Sequence, residues 1–344
     1  MDSWYVAGAN LIRHLQDVCE GYDNFFALVS VVADPAKYYV WAFPVAFALD
    51  TNLGLRVLLA TACSECLNTN LKWILREHRP FWWVKLFSKD GIELRQTHQS
   101  CETGPGSPSG HVMVSIAVLY IVIVYALRKL KDRKSKGRFC AAVWPTYFAF
   151  MMTVCASRAF IAAHFPHQCL LGAVCGVANG YIFSRIEVET WSPRHYLACS
   201  AVVTATTLTV FTLMSAIGPD PNETVNYALQ ACNDPKYVTV TTNALYGVMR
   251  QIASPLGLWF ALRMPDCKSV LEGASKMPWT GKLLAGGAGL AAGKILLSVP
   301  MPSKTVVVYA AAVMQYFFFT FTVAYGIPYF MSRWRARVEK AKSS

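Results

Sequence analysis

Three short stretches decide the fold and the chemistry of this chain: KWILREHRP at residues 72–80, SPSGH at 107–111 and SRAFIAAH at 157–164. Each lies at the end or the start of a long apolar segment. Together they contain basic side chains, a Ser-Gly turn and histidines. Basic groups and a turn at a helix start can bind an oxyanion, and imidazoles can transfer protons or act as nucleophiles.

The composition indicates a membrane protein. Of its 344 residues, 54% are hydrophobic and only 15% are charged, whereas soluble domains usually carry about 25% charged residues. Apolar stretches of roughly 20 residues, long enough to cross a bilayer, recur along the whole sequence. The net charge of +12 comes from basic residues beside these stretches. That pattern is typical of cytosolic loops and argues against nucleic-acid binding.

The apolar stretches predict an all-α, polytopic membrane helical bundle of about nine transmembrane helices, forming a single domain over residues 1–344. The second candidate span contains Glu65 and Lys72 on one helix face, so Glu65 can orient the lysine or simply pair with it. The candidate spans are 25–49, 54–75, 111–127, 139–157, 165–183, 196–217, 243–263, 283–299 and 305–331.

Loop charge predicts the orientation of this bundle. Residues 128–138 carry seven basic residues and one acid, and residues 332–344 form a basic tail. The positive-inside rule places both in the cytosol, and the N-terminus on the opposite, lumenal side. By the parity of the spans, all three motif stretches then lie at the lumenal membrane face. The glycosylation sequon at Asn222 falls on that side too.

Two further features concern location and redox state. Lys340 and Lys342 resemble the dilysine signal that retrieves proteins to the endoplasmic reticulum, although a solvated basic tail explains them almost as well. The 11 cysteines show no metal-ligand spacing, so the sequence predicts no metal. Cys101 and Cys232 fall in loops on one side of the membrane, which permits a disulfide without establishing one.

The first motif stretch supplies cations. Lys72 and Arg79 are seven residues apart, close to two helical turns, so we expect them to share one face of the second span. Pro80 disfavours helical geometry at Arg79 and is expected to end the helix there. Both side chains can then bind phosphate oxygens, although side chains that merely snorkel to the membrane surface would show the same pattern.

The second stretch predicts an anion site at a helix start. Ser109 and Gly110 would place a hydroxyl and free backbone N–H groups at the N-terminus of the third span. His111 follows directly and would lie beside the bound anion. Taken alone, these residues also fit a tight turn whose histidine caps the helix.

The third stretch predicts a helix break. Arg158 and His164 are six residues apart, about 240° around a helix, so one continuous helix would separate them. Pro166 suits the first turn of a new helix. We therefore expect Arg158 to close one span and His164 to open the next, with both facing one site.

Jointly, the three stretches predict hydrolysis of a phosphomonoester. His164 would attack phosphorus and form a phosphohistidine, while His111 would protonate the leaving alkoxide and then activate water. The chain would supply all the positive charge itself, so no metal or other cofactor is predicted. The groups that would bind the phosphate oxygens are Lys72, Arg79, Arg158 and the amides of Ser109 and Gly110.

The motifs resemble the signature of the type 2 phosphatidic acid phosphatase superfamily. They occur in its order, as Lys72-x6-Arg79-Pro80, Pro108-Ser-Gly-His111 and Ser157-Arg158-x5-His164. That signature often carries an aspartate four residues after the last histidine, where this chain has Gln168. The sequence His164-Phe-Pro-His-Gln168 is instead similar to the glucose-6-phosphatase catalytic subunit family. Three further features agree, namely Arg79–Val84, Cys101–His111 and the nine-span layout with a lysine-rich tail.

This resemblance implies hydrolysis of glucose 6-phosphate to glucose and phosphate in the lumen of the endoplasmic reticulum. It implies His164 as the phosphoryl acceptor and His111 as the proton donor, with Gln168 holding His164 by a neutral hydrogen bond. Phosphate binding would fall to Lys72, Arg79 and Arg158. The implied partners are glucose 6-phosphate, membrane lipid and a separate transporter that delivers the substrate.

Alternatives with the same chemistry stay open: a phosphatase of another sugar phosphate or of a lipid phosphate, or a low-activity paralogue. Gln168, nine spans instead of six, and the basic tail favour the sugar phosphatase. A binding protein that kept only the fold would not need both His111 and His164. The polar loop 85–99 is where sugar contacts are expected.

Overall fold

The computed structural model describes residues 2–218, 220–300 and 304–343, and within these ranges the chain is helical without any β-strand. The predicted all-α fold is therefore confirmed. The α-helices in chain order are α1 (Asp2–Val18), α2 (Asp23–Val32), α3 (Pro35–Lys37), α4 (Phe43–Leu49), α5 (Thr51–Leu75), α6 (Pro80–Leu86), α7 (Gly110–Lys129), α8 (Arg133–Phe160), α9 (Pro166–Arg185), α10 (Pro193–Ile217), α11 (Glu223–Ala231), α12 (Ala244–Leu262), α13 (Cys267–Ser275), α14 (Trp279–Leu297), α15 (Thr305–Phe321) and α16 (Ile327–Ser343). Short π-helical segments at Tyr38–Ala42 and Thr322–Gly326 precede α4 and α16.

Within the described residues, four helical segments are long and apolar enough to cross a membrane, namely α7, α8, α10 and Val306–Arg335. The chain is therefore membrane-embedded, while the number of nine spans stays a prediction. The first predicted span, 25–49, is not one helix. It breaks at Ala33 and Asp34, because Pro35 disfavours helical geometry in the residue before it.

The described chain divides into two compact units, whose boundaries fall within α3, α5, α9, α10 and α12. Every predicted catalytic and phosphate-binding residue lies in the first unit, and the single-domain organisation stays a prediction. The first unit comprises the chain up to Pro35, Ser64–Ile182 and Ala205–Val248, and the second comprises Ala36–Cys63, Phe183–Thr204 and the chain from Met249.

In the first unit, α8 packs between α2 and α7, and this packing fixes the end of α8. The Phe26 ring stacks on Phe160 with ring centroids 4.3 Å apart. The Ser157 hydroxyl donates to the Phe26 carbonyl oxygen at 2.7 Å. The last turn of α8, which carries Arg158, is thereby held against α2.

Glycines on α9 let its backbone approach α7 closely. A Cβ atom added at Gly172 would lie 2.7 Å from the Ser109 carbonyl oxygen, and one at Gly176 would lie 2.6 Å from the Met113 carbonyl oxygen. Only glycine fits at such distances, as in other closely packed membrane helices. The start of α9 is therefore drawn against the start of α7.

In the second unit, a glycine likewise allows α4 and α14 to pack closely. A Cβ atom at Gly289 would lie 2.6 Å from Cβ of Pro44.

Arg56 in this unit is buried, and its guanidinium donates to the Phe183 carbonyl at 3.0 Å and pairs with Glu189 at 2.8 Å. This arginine therefore satisfies carbonyl groups at the end of α9.

Candidate active site

Lys72 and Arg79 do not share a helix, so the predicted common helix face is wrong. Lys72 lies in the last turn of α5, which ends at Leu75. Arg76 then adopts a left-handed backbone with φ 53°, and Arg79 is extended, with φ −98° and ψ 153°. Pro80 does disfavour helix at Arg79, as expected, but it begins α6 instead of ending α5.

Arg79 is fully buried, and backbone carbonyl groups fix its guanidinium group. Its Nε donates to Gly104 O at 2.6 Å, Nη1 to Ala163 O at 3.0 Å and Nη2 to Pro105 O at 3.2 Å. These carbonyls come from two separate loops. The planar guanidinium therefore has one orientation available, which prepares it to bind an oxyanion.

The predicted break between Arg158 and His164 is confirmed. α8 ends at Phe160 and α9 begins at Pro166. The backbone N–H of His164 donates to the Arg158 carbonyl at 3.1 Å, which closes the turn between the helices. The Arg158 guanidinium is buried and donates to the Ser30 hydroxyl at 2.7 Å. Both residues of the third motif therefore face one site.

The His164 imidazole is fully buried and has a defined tautomer. Its Nδ1 lies 2.7 Å from the Gly106 carbonyl oxygen, which can only accept, so Nδ1 carries the proton. Nε2 then keeps its lone pair, 3.2 Å from Nη1 of Arg79. Burial lowers the pKa of His164 well below its usual value, and the charges of Arg79 and Arg158 lower it further. The imidazole is therefore neutral and suited to nucleophilic attack.

Gln168 does not make the hydrogen bond expected of it. In the part of the chain that the structure describes, its side chain forms no hydrogen bond with His164, because the Gly106 carbonyl already accepts from the imidazole. The Gln168 amide instead donates to Glu77 at 3.0 Å and to the His78 carbonyl at 2.8 Å.

The connection from Gln168 to His164 is indirect. His167 also contacts the Glu77 carboxylate, with Nε2 at 2.9 Å. The backbone carbonyl of Glu77 in turn accepts from the N–H of Gly106 at 2.7 Å. Residues at the start of α9 thus hold the segment that orients the His164 ring. An orienting role for Gln168 would be exerted through the backbone of this segment.

The start of α7 lies where the second motif predicted it. Ser109 is the N-cap of α7 and Gly110 is its first residue. The Ser109 N–H donates to the Gln168 carbonyl at 3.0 Å, so this amide, contrary to expectation, is not available to an anion. The Ser109 hydroxyl is buried and has no oxygen or nitrogen partner among the described residues. The first amides of a helix have no partner within it, so Gly110, unlike Ser109, stays a predicted anion-binding amide.

Sequence reasoning missed Glu102, which lies among the predicted cations and imidazoles. Its Oε2 is 2.8 Å from Arg79 Nη1, and its Oε1 contacts Arg158 Nη2. The same carboxylate lies 4.0 Å from His111 Nδ1 and 4.0 Å from His164 Nε2. Glu102 is one of three acids between the first two motifs, with Asp90 and Glu93, and nothing in the sequence distinguished it from the other two.

Charge explains the state of this carboxylate. Burial by itself would raise the pKa of Glu102, but the Arg79 and Arg158 guanidinium groups hold it well below its usual range. The Lys72 side chain interacts electrostatically with the same three side chains, and with Glu65. The site is therefore a buried cluster of positive charge around one carboxylate.

The loop that carries Glu102 is anchored on both sides. Cys101 forms a disulfide with Cys232, with Cα atoms 5.7 Å apart. The Thr103 carbonyl accepts from the Thr224 hydroxyl at 2.7 Å. Thr224 belongs to the sequon of Asn222, whose side chain is half-buried at the start of α11. The disulfide that the sequence left open is therefore present.

Comparison with known proteins identifies relatives of this chain. A family model described as the PAP2 superfamily matches residues 53–192, which include all three motif stretches. Mouse "Glucose-6-phosphatase 3" is 34% identical over 269 residues, covering 77% of this chain and 78% of that protein. Rat "Glucose-6-phosphatase catalytic subunit 1" is 32% identical over 278 residues, with the same coverage. Mouse "Glucose-6-phosphatase 2" is 31% identical over 273 residues, covering 76% and 77%. No solved structure matches significantly.

The fold and the site define a membrane-embedded phosphatase of the PAP2 type, a phosphomonoester hydrolase. Within that class, the chain belongs to the glucose-6-phosphatase family. The resemblance carried by the three motifs is thereby confirmed.

Proposed function

We propose that this protein hydrolyses glucose 6-phosphate to glucose and phosphate through a covalent phosphohistidine at His164. One observation carries the proposal. Arg79 and Arg158 contact one buried carboxylate, and the nearest nitrogens of His111 and His164 lie 4.0 Å from it. A phosphate group in that position would be held by two guanidinium groups and lie between two imidazoles. That is the arrangement that phosphoryl transfer to a histidine needs.

The first step transfers the phosphoryl group. Nε2 of His164 attacks phosphorus, a P–N bond forms, and the bond from phosphorus to the sugar oxygen breaks. His111 donates its proton to that oxygen, so the sugar leaves as an alcohol. Arg79 and Arg158 stabilise the charge on the equatorial oxygens, and Lys72 adds a third positive charge nearby.

The second step releases phosphate. His111, now neutral, takes a proton from a water molecule as the oxygen of that water attacks phosphorus. The P–N bond breaks, and its electrons return to Nε2 of His164. The Gly106 carbonyl holds Nδ1–H throughout, which keeps the ring in the orientation that both steps use.

The substrate is proposed from the family. The relatives are named as glucose-6-phosphatases, and this chain covers over three-quarters of their length. Loop 85–99 is the proposed place of sugar contacts, but parts of it serve to hold the fold. The backbone N–H of Arg95 donates to the Gln16 side chain at 2.9 Å, and Gln96 donates to the Ala231 carbonyl at 3.0 Å.

We also propose that the site faces the lumen of the endoplasmic reticulum, with the N-terminus lumenal and the C-terminus cytosolic. The Cys101–Cys232 disulfide supports the lumenal placement, because disulfides persist in oxidising compartments. Asn222 is a proposed glycosylation site. Thr224 of its sequon contacts the loop that carries Cys101, so Asn222 would face the same compartment as the disulfide. The side chains of Lys340 and Lys342, and all of Ser344, lie outside the described residues. A lumenal site would need a transporter, since a phosphate dianion does not cross hydrocarbon unaided.

The test is phosphate release by the purified protein in detergent without added metal, from glucose 6-phosphate, mannose 6-phosphate and phosphatidic acid. We expect release from glucose 6-phosphate, and we expect His164→Ala to abolish both release and trapping of labelled phosphate on the protein. His14→Ala, on the exposed side of α1, is the matched control and should retain both.

Each other outcome has a definite meaning. Phosphoenzyme in the His164→Ala variant would show that the nucleophile is misassigned. A preference for phosphatidic acid would move the protein to the lipid phosphatases. A preference for mannose 6-phosphate would keep the chemistry and change the sugar.

A further inference from the structure

The Glu102 carboxylate occupies the place that a bound phosphate group needs. Its Oε2 lies 2.8 Å from Arg79 Nη1, and its Oε1 contacts Arg158 Nη2. The nearest nitrogens of His111 and His164 are both 4.0 Å from it. Carboxylate and phosphate both bind guanidinium through paired oxygens. The two anions therefore cannot occupy this position together.

A disulfide and hydrogen bonds fix the backbone around Glu102, so only its side chain can move away from the arginines. The preceding residue, Cys101, is in a disulfide. The Glu102 N–H donates to Ser100 O at 2.9 Å, and Thr103 O accepts from Thr224 at 2.7 Å. The glutamate side chain itself has three rotatable torsions. Displacement of the carboxylate is thus a rotation of one side chain and needs no loop opening.

Charge explains why a carboxylate lies between the two arginines. Arg79 and Arg158 are 0% and 1% exposed, and Lys72 interacts with both. Without an anion, these positive groups would be buried together uncompensated, which is strongly unfavourable. Glu102 supplies the missing negative charge from within the chain.

We propose that Glu102 is an internal competitor for the phosphate subsite, pairing with Arg79 and Arg158 when the site is empty and turning away when a phosphate group binds. The inference rests on the proposed function, because it takes these arginines as the phosphate-binding groups. It assigns the carboxylate a role in turnover. As product phosphate leaves, the carboxylate returns, so free phosphate binds weakly and product inhibition is limited.

The proposal is tested by whether a substitution at Glu102 raises or lowers the affinity for phosphate. Glu102→Gln keeps the size of the side chain and removes the competing charge. We expect this variant to bind inorganic phosphate and orthovanadate roughly tenfold more tightly or better, because a charge-assisted pair no longer has to be broken. Calorimetry on the full chain in detergent measures it. Glu20→Gln, at an exposed position just after α1, is the matched control and should bind phosphate like the wild type.

A purely positioning role for Glu102 predicts the opposite change in phosphate affinity. If Glu102 only positioned the two arginines, Glu102→Gln would disorder them and bind phosphate more weakly. Unchanged or weaker phosphate binding by a folded Glu102→Gln variant would therefore overturn the proposal.

A second measurement uses the wild-type protein and does not depend on how the variant folds. In a structure determined with orthovanadate bound, we expect the Glu102 carboxylate to have left both guanidinium groups. Vanadate bound between the histidines, with Glu102 still 2.8 Å from Arg79, would overturn the proposal.

Failure of this inference and failure of the proposed function are distinguishable, because phosphate binding is measured without a sugar. Tighter phosphate binding by Glu102→Gln, together with no hydrolysis of glucose 6-phosphate by the wild type, would support the competitor and reject the substrate. Normal hydrolysis of glucose 6-phosphate with no tightening in the variant would reject the competitor alone.

Discussion

At the scale of single residues, the site depends on side chains whose orientation is fixed by backbone groups. Arg79 illustrates this, because three carbonyl groups hold its guanidinium and one of its nitrogens still contacts the Glu102 carboxylate. A lysine at this position would keep the charge. It would have neither the planar fork nor the reach to satisfy all three carbonyls.

Arg79→Lys should therefore lose most of the activity. We expect kcat/KM to fall by about a hundredfold, since at least two charged hydrogen bonds are lost. Steady-state hydrolysis of the preferred substrate in detergent measures the loss. Arg13→Lys, at an exposed position of α1, is the control for the same substitution. Near-normal kinetics in Arg79→Lys would reduce Arg79 to a structural residue.

The sequence predicted the residues of the site better than their contacts. Arg79, Arg158, His111 and His164 do surround one buried position. The role of Glu102 was not predictable, because it depends on burying two guanidinium groups around a single carboxylate. No spacing along the chain encodes that balance of charge.

At the scale of elements, the site lies where helices end. Three connecting segments meet at the start of α9. They are the link between α5 and α6, the link between α8 and α9, and the loop before α7. Glu77 joins two of these, because its carboxylate accepts from Gln168 at 3.0 Å and contacts His167 at 2.9 Å. Its backbone carbonyl holds Gly106, the partner of His164.

Stability should depend on the ionisation of Glu77. Burial opposes ionisation, but hydrogen bonds from His167 and Gln168 leave the pKa of Glu77 below its ordinary value of 4.5. A depressed carboxyl pKa contributes stability above the unfolded pKa, and that contribution is lost as pH falls through the folded pKa. We therefore expect Glu77→Gln to lose about 1 kcal/mol at pH 6, after allowance for partial exposure.

Thermal melts of the two proteins measure this difference. Glu77→Gln should melt below the wild type at about pH 6, and the gap should close as pH falls below about 4.5. Glu93→Gln, an exposed acid, should show no such gap. A gap that is constant from pH 6 to pH 3 would mean that the Glu77 charge contributes nothing to stability.

At the scale of the whole molecule, one covalent link joins distant parts of the first unit. The Cys101–Cys232 disulfide spans 131 residues of sequence. It ties the loop of Glu102 to the segment after α11. Closing so long a loop restricts the unfolded chain, and disulfides of this kind typically contribute about 2–5 kcal/mol.

Reduction of this disulfide should lower the melting temperature of the purified protein, by a free energy of about 2–5 kcal/mol. Cys101→Ser should melt at the lower temperature and be insensitive to reductant, whereas Cys19→Ser, which removes a free cysteine, should behave like the wild type. In sealed endoplasmic reticulum vesicles, we expect a membrane-impermeant reductant to leave the disulfide intact until detergent is added. Reduction in sealed vesicles would contradict the lumenal orientation.

The sequence by itself determined the helical class, the membrane character, the helix break between Arg158 and His164, and the start of α7. Those features follow from local physics, since apolar length, proline geometry and glycine turns act over a few residues. Only the tertiary structure decided that α5 stops at Leu75, that Gly106 and not Gln168 orients His164, and that Glu102 lies between the arginines. The partners of Arg79 lie 25 and 84 residues away along the chain. Contacts at such separations are set by how the helices pack, and no local pattern specifies them.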